Sequence, residues 1–151
     1  FSLSKFIKIT NFVINSNLIT MDKQLIIWSD VYSVNNKEID SQHIKLINLI
    51  NRLYNAYLDK KHEAEIKGII REIKEYTVYH FSTEEELFKK SNYAQSAEHI
   101  EMHQNFIDEL NSLIENYLDS SLVLTMKTMT FLQRWLTNHI LKEDKKYVGK
   151  I

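Results

Sequence analysis

Cysteine and proline are absent from this 151-residue chain, and glycine occurs only twice. Lack of cysteine excludes disulfides, thiolate ligands and a thiol nucleophile, so any metal must be held by His, Asp or Glu. With so little proline and glycine, the chain also lacks the punctuation that strands need between them, and long helices become the default. No uninterrupted apolar run reaches the roughly 18 residues of a membrane span. The charges nearly cancel, at a net -1, which leaves no basic field for nucleic acid or an anionic membrane. Neither partner is expected, and protein partners are left open. A chain free of cysteine accords with a reducing compartment, and a cytoplasmic location is expected. What the chain does have is 44% hydrophobic residues, enough at this length for one core and one domain.

The first 20 residues, FSLSKFIKITNFVINSNLIT, interrupt their apolar stretches with Lys and Asn and offer no small-residue cleavage pattern. They are expected to be peripheral to the fold or foreign to it, with Met21 as the native start and residues 21–151 as the domain. Farther along, four segments carry apolar residues in alternating steps of four and three, the spacing of one helix face in an antiparallel bundle. The first runs His43, Ile47, Ile50, Tyr54, Tyr57, with Asp40 expected as its N-cap and Ile39 and Ile44 as a hydrophobic staple. After Asp59 to His62, the second reads Ile66, Ile70, Ile73, Thr77, His80, Glu84, Leu87. A polar break from Ser91 to Ser96 leads to His99, His103, Phe106, Leu110, Leu113, Tyr117. The fourth follows Asp119 to Ser121 and reads Thr125, Thr128, Leu132, Trp135 or Leu136, and His139.

Short connections make successive helices antiparallel. The start of the first, the end of the second, the start of the third and the end of the fourth therefore meet at one end of an all-α, up-down-up-down bundle. Five histidines converge there, and helix phase agrees with chain position for each. Imidazoles and carboxylates in an apolar interior are costly unless paired, hydrogen-bonded or bound to metal. The pairs His80/Glu84 and His99/His103 each place two donors one turn apart on one face, as chelation requires. Asp144 follows His139 by five residues, so it reaches the same place only if the chain leaves regular helix there. Such a donor set suits iron or manganese, with zinc and copper also compatible.

The segments WSDVYSV, IDSQHIKLINLINRLY, YTVYHFSTEEELFKK, EHIEMHQNF and LQRWLTNHILKEDKKY resemble the successive signature blocks of bacterial haemerythrins. The resemblance covers Trp28 to Tyr147 and implies a non-haem di-iron centre. On the family's pattern, His99, His103 and His139 hold one iron, His43 and His80 the other, and Glu84 and Asp144 bridge both, together with an oxide or hydroxide. That assignment leaves one coordination position open, on the iron with two histidines. The implied function is reversible dioxygen binding, as an oxygen carrier, store or delivery protein, with no enzymatic activity expected. Oxygen or redox sensing is the alternative use of the same site, as is protection from oxidative stress by peroxidase action, nitric oxide binding or iron buffering. Trp28 is expected in an N-terminal arm packed on the bundle.

Ile47, Phe81, Leu132 and Trp135 are expected to wall the site on helix phase. Tyr54, Tyr57 and Tyr117 continue the stripes and are expected in the core, while His62 falls at the far end as a surface residue. Glu85, Glu86 and Glu143 neighbour the ligands out of phase and are expected as solvated charge. A ferritin-like oxidase would need a Glu-x-x-His pair on each of two helices. No glutamate stands three residues before any histidine here.

Overall fold

The four stripes become four helices: α1 (Lys37–Leu58), α2 (Glu63–Ser91), α3 (Ser96–Tyr117) and α4 (Ser121–Asn138). The computed structural model describes residues 22–117 and 119–151. The expectations for residues 1–20 and Met21 lie outside the described residues. Each helix packs on the next, and α4 returns against α1, closing an up-down-up-down antiparallel four-helix bundle. Among the described residues no strand is present, and no helix is long and apolar enough to cross a membrane.

Helix ends follow local chemistry. The N-cap of α1 is Asn36, whose side chain accepts from the amides of Glu38 and Ile39, so the helix starts before the expected Asp40. Its first turn carries the exposed Lys37 and Glu38, which an apolar stripe cannot register. Asp40 turns instead to the arm, accepting from Ser33 Oγ at 2.6 Å and from the Val34 amide at 2.7 Å. Ile44 is exposed, so the expected staple does not form. Scarce glycine leaves left-handed backbone to other residues, namely Asn35 (φ 59°), Lys60 (φ 52°) and Asn92 (φ 52°). Asn tolerates that region through local hydrogen bonding, whereas Lys60 takes it in a Schellman cap, its amide donating to the Tyr57 carbonyl and that of Lys61 to the Ala56 carbonyl, at the cost of the Cβ clash.

The arm is tied down by two asparagines one turn apart on α1. Asn51 accepts from the amides of Leu25 and Ile26 and donates to the Ile26 carbonyl, and Asn55 both accepts from and donates to Lys23. Trp28 packs half-buried against the main core, as expected of the arm. That core draws on all four helices, with Ile50, Leu53, Ile73, Leu110 and Leu124 at its centre. Tyr54, Tyr57 and Tyr117 pack on it half-buried. A second, smaller cluster of Val34, Ile39, Phe88, Tyr93 and Tyr147 seals the end where α1 begins and α2 ends. Between the two clusters lie the histidines.

Candidate metal centre

His43 stands in the second turn of α1, His80 and Glu84 near the end of α2, His99 and His103 at the start of α3, and His139 just after α4. Asp144 joins them because the chain leaves α-helix where the spacing requires it. Residues His139–Glu143 form a π turn and Asp144–Tyr147 a 3-10 turn. The Asp144 amide donates to the His139 carbonyl, an i to i+5 bond that sets the carboxylate one wide turn beyond the imidazole. Regular α-helix would rotate a residue at that spacing about 140° away. All seven side chains are buried, none more than 3% exposed.

Their donor atoms face one another. Asp144 divides its oxygens, with Oδ2 3.3 Å from His43 Nε2 and Oδ1 3.2 Å from His99 Nε2 and 3.0 Å from His139 Nε2. Glu84 Oε2 is 3.1 Å from His103 Nε2, 3.8 Å from His80 Nε2 and 3.9 Å from His99 Nε2. Donors on adjacent corners around a metal with bonds of about 2.1 Å stand about 3 Å apart. Nearly all of the buried side-chain polar atoms that lack a hydrogen bond among the described residues lie here: both nitrogens of His43, Nε2 of His99, His103 and His139, Glu84 Oε2 and both oxygens of Asp144. Thr128 Oγ1 is the exception. Orphaned buried groups cost about 1–3 kcal/mol each, and lone pairs converging on common points are what a cation satisfies. Two overlapping donor groups result, Glu84 with His99, His103 and His139, and Glu84 with His43 and His80.

Around the donors runs a second layer that the apolar stripes did not reveal. Glu85, expected as solvated charge, places Oε1 3.1 Å from His103 Nδ1. Gln42 Oε1 lies 3.0 Å from His80 Nδ1, and Tyr147 donates its hydroxyl to Glu84 Oε1. Gln42 and Glu85 each adjoin a donor in sequence, which puts them about 100° off the stripe, where they flank the helix–helix groove rather than fill it. Tyr147 follows Asp144 by three residues, and in a 3-10 turn that spacing eclipses it; the short tail after His139 held the signal. Glu86 is exposed as expected, while Glu143 is half-buried and pairs with Lys146. His62 is exposed at the start of α2.

The walls are aromatic. Phe81 lies flat on His103, centroids 3.8 Å apart, and Trp135 on His139 at 4.0 Å. Leu136 takes the core position on α4, and Ile47 and Leu132 are buried in the main core. Burial pushes His80 down to about 4 and His103 down to about 3, for His103 with the help of neighbouring His139. Both rings are therefore neutral at pH 7, with the lone pair that ligation needs. For Asp144, burial alone would raise the carboxyl, but His139, His43 and His99 outweigh it and hold the group well below the usual carboxylate range. Burial and the nearby Asp144 and Glu84 carboxylates push the Tyr147 phenol far up, so it stays a donor.

Residues 34–151 match the family described as "Hemerythrin HHE cation binding domain". The chain is 32% identical over 126 residues to a Pseudomonas aeruginosa protein named "Bacteriohemerythrin", covering 83% of this chain and 81% of the relative. A "Hemerythrin-like protein" of Naegleria gruberi is 33% identical over 127 residues, covering 81% and 90%. A solved structure of wild-type hemerythrin superimposes with a TM-score of 0.76 at 27% identity, over 83% of this chain and 97% of its own.

Proposed function

Since the chain belongs to the haemerythrin family, we propose that its seven converging residues hold two iron ions joined by an oxide or hydroxide, and that the centre binds dioxygen reversibly without turning it over. His99, His103 and His139 would hold one ion and His43 and His80 the other, with Glu84 and Asp144 shared. The observation that carries this reading is the division of Asp144, one oxygen toward His43 and the other toward His99 and His139. When bound, the iron pair supplies reversible electron exchange with dioxygen.

The chain's own residues do the rest. Neutral His80 and His103 present lone pairs inward at pH 7. Gln42 and Glu85 hold ring nitrogens from outside, fixing tautomer and orientation. Tyr147 keeps its proton and orients Glu84. Phe81, Phe106 and Trp135 pack around His103 and His139 and exclude water, which favours release of an intact ligand over side reactions.

The test is iron content together with the visible spectrum of anaerobically reduced protein, taken before air, after air and after oxygen is removed. Two irons per chain and a band that appears and vanishes reversibly support the reading. Two irons that oxidise once, with peroxide turnover, would replace it with a redox enzyme, and an iron-free protein would overturn it.

A further inference from the structure

The layer outside the donors differs between the two sides of the cluster. On one side His103 Nδ1 meets a carboxylate, Glu85 Oε1 at 3.1 Å. On the other, His80 Nδ1 meets the neutral amide oxygen of Gln42 at 3.0 Å, and His43 Nδ1 has no hydrogen-bond partner among the described residues. His103 Nε2 faces Glu84 Oε2 within the cluster, so a bound cation would take its lone pair and leave the ring proton on Nδ1, donated to Glu85. Phe81 lies within 5° of parallel to that ring, which holds its plane toward Glu85. Glu85 itself is 36% exposed, so solvent still reaches part of its carboxylate while one oxygen serves the ring.

Resting on the di-iron reading, we propose that Glu85 is a positioning residue that makes the two metal positions electronically unequal. A carboxylate accepting from Nδ1–H lends the imidazole anionic character and strengthens its donation through Nε2. The position held by His99, His103 and His139 thereby favours the ferric state more than the position held by His43 and His80, where an amide plays the same part. With iron bound, the first electron supplied by dithionite would convert the ferric ion held by His43 and His80 to ferrous, and the second would reduce the ion held by His99, His103 and His139, behind Glu85.

The chain supplies its own control chemistry. Glu85→Gln gives His103 the neutral amide that His80 already meets, and Glu85→Ala removes the acceptor. Glu86→Gln removes the same charge from the adjacent residue, which is 73% exposed and touches no donor. Because Glu85 is partly exposed, these variants leave the packed core untouched. After iron content is counted, each iron-loaded protein is titrated reductively under nitrogen. The wild type should reduce in two separated one-electron steps. In Glu85→Gln the second step should rise by about 59 mV, a tenfold weaker ferric preference, while the first stays in place. Glu86→Gln should match the wild type, and Glu85→Ala should also release one iron to a chelator about 10-fold faster. Unshifted potentials in Glu85→Gln, or an equal shift in Glu86→Gln, would overturn the proposal. A wild type holding two irons without reversible dioxygen binding would defeat the functional reading alone and leave this comparison standing. A protein that holds no iron would overturn both.

Discussion

Burial of His80 and His103 makes the metal-free protein acid-sensitive. An unfolded histidine titrates near 6.5, whereas these two titrate at about 4 and about 3. Between those values the unfolded chain binds more protons than the folded one, so stability rises with pH and is lost as pH falls below 6.5. Asp144 adds to the loss only in stronger acid, because its folded value lies below the ordinary one. From pH 7 to pH 5 the metal-free protein should lose about 2 kcal/mol for each of these two histidines, read from urea midpoints at both pH values. Equal midpoints would mean that the rings are charged or solvated in the fold. Tyr147 makes a second test at this scale. Tyr147→Phe removes the hydroxyl bound to Glu84 Oε1 and leaves that buried oxygen unpaired. Metal affinity should fall about 10–100-fold with the helical circular dichroism unchanged, as measured by competition with a coloured chelator.

Among the elements, a stripe reveals what lies on it. His43, His80, Glu84, His99 and His103 share the phase of the core residues on their helices, so sequence alone placed them at one end of the bundle. Gln42 and Glu85 were illegible because they act from the flank, beside the stripe and toward a neighbouring helix. Asp144 stood between these cases: its five-residue offset from His139 required a departure from α-helix, yet nothing in HILKED specified a π turn rather than a break. Asp40 misled because a good capping residue preceding an apolar run is the usual sign of a helix start, whereas Asn36 caps a first turn with no buried face before Ile39. The glycine shortage also has an energetic consequence at the α1–α2 turn. Lys60 is exposed with a left-handed φ of 52°, a conformation that costs a residue bearing a Cβ about 1–2 kcal/mol. After the entropy that glycine forfeits, Lys60→Gly should raise stability by about 0.5–1 kcal/mol, seen as a higher urea midpoint with an unchanged slope. A lowered midpoint would show that the turn holds Lys60 by other contacts.

For the whole molecule, the two apolar clusters and the donor set between them divide the labour of holding the bundle together. The main core, around Ile50, Ile73 and Leu110, is held chiefly by apolar packing. The end that holds the histidines is closed by five aromatic and aliphatic side chains and by a donor set whose buried atoms lack hydrogen-bond partners among the described residues. A cation that binds only the folded state adds RT ln(1 + [L]/Kd), about 4 kcal/mol at a thousandfold excess over Kd, and the gain falls on the elements that supply donors. Metal removal should therefore loosen the molecule unevenly. Amide exchange should accelerate at residues 80–103 and 139–147 by one or more orders of magnitude. The middles of α1 and α3, around Leu53 and Leu110, should keep their protection, because their packing partners are in the main core. Uniform acceleration along all four helices would mean that the metal holds the entire bundle. No acceleration at either segment would mean that the donor set is already satisfied without a cation, contrary to its unpaired atoms.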